Sequence, residues 1–107
     1  MQISNPEDFR NNIKTELKNL GLDEKKSSNI ERGMYNYIII ESKRRKIVRK
    51  WDNSYFNQLY IDKFRSIWNN INPSINKENK KILEKIKKGK ISSKNLAFMT
   101  HQELKPK

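Results

Sequence analysis

Cysteine is absent from this chain, which excludes disulfides, a thiolate nucleophile and any cysteine-based zinc site. The single histidine, His101, cannot build a metal centre alone. Glycine and proline number three each, too few for the many turns of a β-sandwich. No apolar run approaches the roughly 20 residues that span a bilayer; the longest, Tyr37-Ile38-Ile39-Ile40, is closed by Glu41. The stretch from Met1 to Asp8 lacks the basic-then-apolar pattern of a secretory signal. Together these absences lead to the expectation of an intracellular, soluble protein with no membrane partner. Also missing are a glycine-rich phosphate loop, paired catalytic carboxylates and a Ser/His/Asp arrangement. Asp52 and Asp62 are isolated acids in a basic setting, so the sequence makes no case for an enzyme.

What is abundant is positive charge. The 107 residues suit one domain with one modest core. They carry 24 Lys and Arg against 12 Asp and Glu, a net charge of +12. Such a surplus favours an acidic partner, either nucleic acid or an acidic protein surface. The bland alternative is a solvated surface in a chain whose heavy use of Lys, Ile and Asn fits an AT-rich coding bias.

The apolar residues repeat with helical spacing. A first segment opens at Ser4, with Pro6 early and Glu7 three residues on, the spacing of a capping box. Phe9, Ile13, Leu17 and Leu20 form its stripe, and Gly21 is placed to cap its end, with Leu22 folding back. A second segment is expected to open at Ser28, with Glu31 completing another capping box. Ile30, Met34, Tyr37 and Ile38 share its face, and Ile39 and Ile40 widen the apolar arc, so this helix is expected to be the central one. Gly33 sits mid-helix, where a close helix–helix approach would account for it. Trp51 to Ser54 reads as a turn, and a third helix runs from about Ser54 to Asn70 with Tyr60, Phe64, Ile67 and Ile71 on one stripe. A loop containing Pro73 leads to a fourth segment, Lys77 to Lys88, ended by Gly89. Ile91, Leu96, Phe98 and Met99 are placed to cover one end of the bundle, and Thr100 to Glu103 has the spacing of a last capping box. The expected fold is all-α: a three-helix bundle with additional short C-terminal helices, forming a single domain over residues 1–107.

Two clusters concentrate the charge. Lys43, Arg44, Arg45, Lys46, Arg49 and Lys50 make six cations in eight residues. On a continuous helix 43, 46 and 50 would share a face able to neutralise phosphates or meet carboxylates. The run also resembles a nuclear-localisation sequence, while its bland reading is a solvated helix end complementing the dipole. The second cluster, Lys80 to Lys90, is rich in Lys rather than Arg, which suits diffuse attraction over base reading, and solubility is its simpler explanation. The aromatic residues at helical spacing read as core before they read as a base-stacking platform.

Several residues in order carry a resemblance. Ile30-Glu31 with Tyr35, then Tyr60 with Phe64-Arg65-Ser66, then Asn70-Ile71, then Ile82, Ile86, Gly89 and Ile91, and finally Leu96-Ala97 with Met99-Thr100 and Glu103-Leu104 follow one another along most of the chain. Their order and spacing resemble the central domain of transcription elongation factor TFIIS, the factor that rescues backtracked RNA polymerase. The resemblance implies a three-helix bundle that docks on the largest subunit of DNA-directed RNA polymerase. It implies polymerase-binding roles for Arg65, which falls off the apolar stripe, and for Lys77, with 43–50 as an auxiliary basic surface. It departs from the family in the Trp51–Leu59 region and in a longer loop before Lys77. In that family a zinc ribbon with an Asp-Glu pair promotes transcript cleavage. No such ribbon lies in this sequence, so no cofactor and no catalytic residue are expected in this chain. A chain starting at this domain is similar to the compact versions of large DNA viruses, which sets the expected location as the nucleus or a cytoplasmic viral factory.

Two other readings stand beside this one: a TFIIS-like polymerase-binding domain in a transcription regulator that does not cleave, and a basic helical module that binds nucleic acid directly. In each the expected state is a monomer.

Overall fold

The computed structural model describes residues 5–72, 74–75 and 81–99. Every regular element among them is helical, and no strand is present among the described residues. The order is α1 (Pro6–Lys18), α2 (Glu24–Arg45), α3 (Ser54–Ile71), α4 (Lys81–Lys87) and a 3-10 turn (Leu96–Phe98). Three long helices with short C-terminal ones match the expected architecture. The expected Thr100–Glu103 turn and the first residues of the fourth segment, Lys77 included, lie outside the described residues.

α1 starts one residue later than its capping-box spacing suggests. The Asn5 side-chain oxygen accepts the Asp8 backbone N–H at 3.2 Å, and the Asn5 amide donates to the Asp8 carboxylate at 2.9 Å. Asn is as good a cap as Ser, and this reciprocal pair satisfies two polar groups at once. Ile13 and Leu17 are buried, with Phe9 and Leu20 packed partly against the core. Gly21 takes φ +93°, a conformation that costs glycine little, and Leu22 turns into the core behind it.

α2 begins well before Ser28. Asp23 accepts the Lys26 N–H at 2.7 Å and caps a helix of 22 residues. Ser28 and Glu31 therefore lie inside the helix rather than at its start. Ile30, Met34 and Ile38 are wholly buried, each burial stabilising the fold by about 1.5–3 kcal/mol. Ile39 is half-buried, but Ile40 faces solvent at 58 % exposure, so the apolar arc is narrower than expected. α2 is nonetheless the central helix, packing against α1, α3 and the 3-10 turn. Gly33 marks a close approach, although the neighbour is not a helix. A Cβ there would lie 2.7 Å from the Lys94 carbonyl oxygen, so glycine lets the C-terminal loop lie directly on α2.

α3 is capped by Asn53, whose side chain accepts the N–H groups of Tyr55 and Phe56 at 2.9 and 3.3 Å. Phe56, Tyr60, Ile67 and Ile71 fill the core, as the spacing predicts for the last three. α4 adds Ile82, Leu83 and Ile86 and stops where Gly89 turns at φ +77°. Leu96 and Ala97 then plug the end of the bundle, while Phe98 stays 46 % exposed and Ile91 and Met99 half-buried. Three of the four residues expected to cover that end are thus peripheral or partial, and Ala97 joins Leu96 there.

Candidate functional site

On α3 the core stripe leaves an outer face on which Arg65 and Ser66 are exposed. Arg65 makes no ion pair with any described residue, so its guanidinium is available to a partner. Lys77, the other residue expected to bind polymerase, lies outside the described residues.

The basic run does not form the helical face that its spacing suggests. α2 ends at Arg45, and Lys46 takes a left-handed conformation at φ 60°. The Lys46 N–H then reaches back to the Lys43 carbonyl at 3.3 Å, and the Ile47 N–H to the Ser42 carbonyl at 2.8 Å. This cap satisfies the last carbonyls of the helix and tucks Ile47 against the core. Lys46 and Lys50 therefore lie at and beyond the end of α2 and do not share a helical face with Lys43. Charge is also lost locally. Arg44 and Arg45 both donate to the Glu41 carboxylate, the latter at 2.8 Å. Their hydrogen bonds, with Arg44 the stronger influence, hold the Glu41 carboxyl down at about 2. Lys43, Lys46, Arg49 and Lys50 remain exposed and without an ion-pair partner among the described residues.

One cluster escaped the sequence reading altogether. Glu31, taken as a capping residue, is completely buried and is gripped by Arg10 from α1, with Nη2–Oε2 at 2.9 Å and a second bond from Nε to Oε1. The Arg10 guanidinium also lies 4.1 Å from the centre of the Tyr35 ring. The bond to Glu31 raises the pKa of Arg10 above its already high value, against the opposing effect of burial. Beneath it the Tyr60 hydroxyl is buried with no hydrogen-bond partner of good geometry among the described residues. Burial, and then the charge of Glu31, push its ionisation far upward, while nearby Arg10 opposes the shift. The hydroxyl is therefore a neutral element of the core. Arg10, Lys14, Arg32 and Trp51 border an adjoining cleft of about 460 Å³. A local pattern cannot show a pair separated by 21 positions; the only hint was an arginine beside the first apolar stripe.

The aromatic side chains are mostly structural, as expected. Trp51 meets Phe9, Tyr35, Phe56 and Tyr60 with ring centres 5.1 to 6.3 Å apart. Tyr55 alone among the tyrosines is largely exposed, at 73 %. Lys63 spans the α2–α3 groove to lie 4.0 Å over the Tyr37 ring, and burial lowers its pKa against the pull of Glu41. Among the described residues no group of His, Cys, Asp and Glu is arranged to hold a metal ion, and no helix is long and apolar enough to cross a membrane. No protein-family model, curated protein or solved structure matches the chain.

Proposed function

We propose that this chain is an RNA-polymerase-docking domain of the kind found in TFIIS-like elongation factors, with any transcript-cleaving acids supplied from outside it. The observation that supports this reading best is the division of labour within α3. Tyr60, Ile67 and Ile71 are at most 2 % exposed, whereas Arg65 and Ser66, in the same motif, face solvent. An exposed guanidinium with no carboxylate partner among the described residues is suited to bidentate capture of an acidic residue on a partner. The C-terminal part of the motif serves a different purpose: Gly89, Ile86, Leu96 and Ala97 close the bundle end. The domain thereby presents α3 on a rigid frame.

The test is binding of the full chain to purified multisubunit RNA polymerase from the same source, with wild type set against Arg65→Ala. Docking through α3 predicts a loss of at least tenfold in affinity for the variant, with unchanged helix content by circular dichroism. It also predicts that the complex survives moderate concentrations of free nucleic acid. Absence of any polymerase complex with the wild-type chain overturns the proposal.

A further inference from the structure

The cluster of lysines around Gly89 becomes a different object once folded, because α2 contributes to it. A groove of about 380 Å³ runs between the first turns of α2 and the chain leaving α4. Lys25 and Lys26 line one wall, and Lys94 with Ser92 and Ser93 lines the other. Ile86 and Ile91 are among its apolar lining, and the Asn29 amide adds a further polar group. No carboxylate lines it among the described residues. Lys25 and Lys94 have no ion-pair partner there, and Lys26 has only the exposed Asp23 at 3.7 Å. A second hollow on the same turn, about 240 Å³, is lined by Lys81, Lys85, Lys88 and Lys90, with Glu84 as its one acid.

Two features separate this arrangement from a merely soluble surface. Lysines more than 60 positions apart in the chain are brought to one concavity, where like charges repel each other unless an anion lies between them. The wall that carries Lys94 is also held in place, because the Lys94 carbonyl rests on Gly33 at a separation that excludes any side chain. The cations are ammonium groups, which match phosphates as point charges, and the serine hydroxyls and the asparagine amide are the usual auxiliary donors to phosphate oxygens. Among the described residues no aromatic ring lines either hollow, so none of them stacks an unpaired base there.

We infer that the groove between the start of α2 and the Gly89 turn is a sequence-independent docking site for the phosphate backbone of a nucleic-acid duplex. Arg65 does not line the site, and the site does not depend on polymerase docking; a domain held on polymerase by α3 would use it to hold nearby duplex.

The experiment is fluorescence anisotropy of a labelled 20-base-pair DNA duplex titrated with the full chain over a series of salt concentrations. Wild type is compared with Lys25→Gln/Lys26→Gln/Lys94→Gln and with Lys43→Gln/Arg49→Gln/Lys50→Gln, which removes equal charge elsewhere. The groove variant is expected to lose at least tenfold in affinity at low salt. The slope of log affinity against log salt should flatten by about 2 to 3, close to 0.9 for each phosphate contact removed. The second variant should lose clearly less. The inference is overturned by equal losses in the two variants, by a groove variant within threefold of wild type, or by no duplex binding at all. A single strand of equal length that binds tenfold tighter than the duplex, or poly-glutamate that binds as tightly, also overturns it.

Discussion

Arg10 and Glu31 close α1 onto α2 through a two-pronged ion pair whose carboxylate is wholly buried while its guanidinium keeps 30 % of its side chain in water. That asymmetry decides what each half is worth. Removing Arg10 strands a charge inside the protein; removing Glu31 leaves a cation that can turn outward. Arg10→Ala should therefore destabilise the fold by about 3–5 kcal/mol, the usual cost of breaking a buried pair. Glu31→Gln should cost clearly less. Urea unfolding followed by circular dichroism measures both, and the double variant should be more stable than the sum of the single losses implies. An Arg10→Ala loss below that of Glu31→Gln contradicts the asymmetry.

Lys46 holds a left-handed conformation that glycine adopts freely. Lys46→Gly should raise stability by about 1 kcal/mol, since L-residues meet a penalty of that order there. The melting temperature should rise by about 4–8 °C for a domain of this size. A lower melting temperature would show that the lysine side chain contributes more than its backbone costs.

Gly33→Ala sets helix propensity, a gain of about 1 kcal/mol, against a contact of 2.7 Å with a backbone oxygen that has no flexible end to swing aside. Overpacking of this kind costs about 1–3 kcal/mol, so the net change should be a loss. Hydrogen exchange should quicken around residues 92–97, where the loop is displaced, with little change in α1.

The acid limb of the stability curve should carry a contribution from Glu41. Its folded pKa, about 2, lies below the ordinary 4.5, so protonation is disfavoured by folding. The contribution is fully present above about pH 5 and is lost as the pH falls from there through 2, because the unfolded chain binds the proton first. Glu41→Gln should flatten the curve in that window and leave it unchanged near neutrality in shape, a comparison made by unfolding at a series of pH values.

Much of the core could be read in advance. Stripes such as Phe9–Ile13–Leu17 and Tyr60–Ile67–Ile71 are local, and the period of a helix suffices to find them. Gly21 and Gly89 were legible for the same reason, as both positive-φ turns come just after the last residues of an apolar helical stripe. The misreadings share another cause. Ser28 and Glu31 imitate a helix start, but Asp23 caps earlier, and the partner of Glu31 is on another helix. The basic run looked like one face because nothing in Lys43 to Lys50 announces a left-handed turn at a lysine. The wall formed by Lys94 beside Lys25 is likewise a product of tertiary packing, with Gly33 its sole trace in the sequence.

Trp51 stands at a junction where rings from all three long helices converge: Phe9 from α1, Tyr35 from α2, and Phe56 and Tyr60 from α3. Trp68, by contrast, has a single ring neighbour among the described residues, Phe64, on its own helix. The chain thus carries a built-in optical probe. With Trp68→Phe, the remaining indole emission would report whether three helices have met, and time-resolved measurements would follow their assembly without an attached dye.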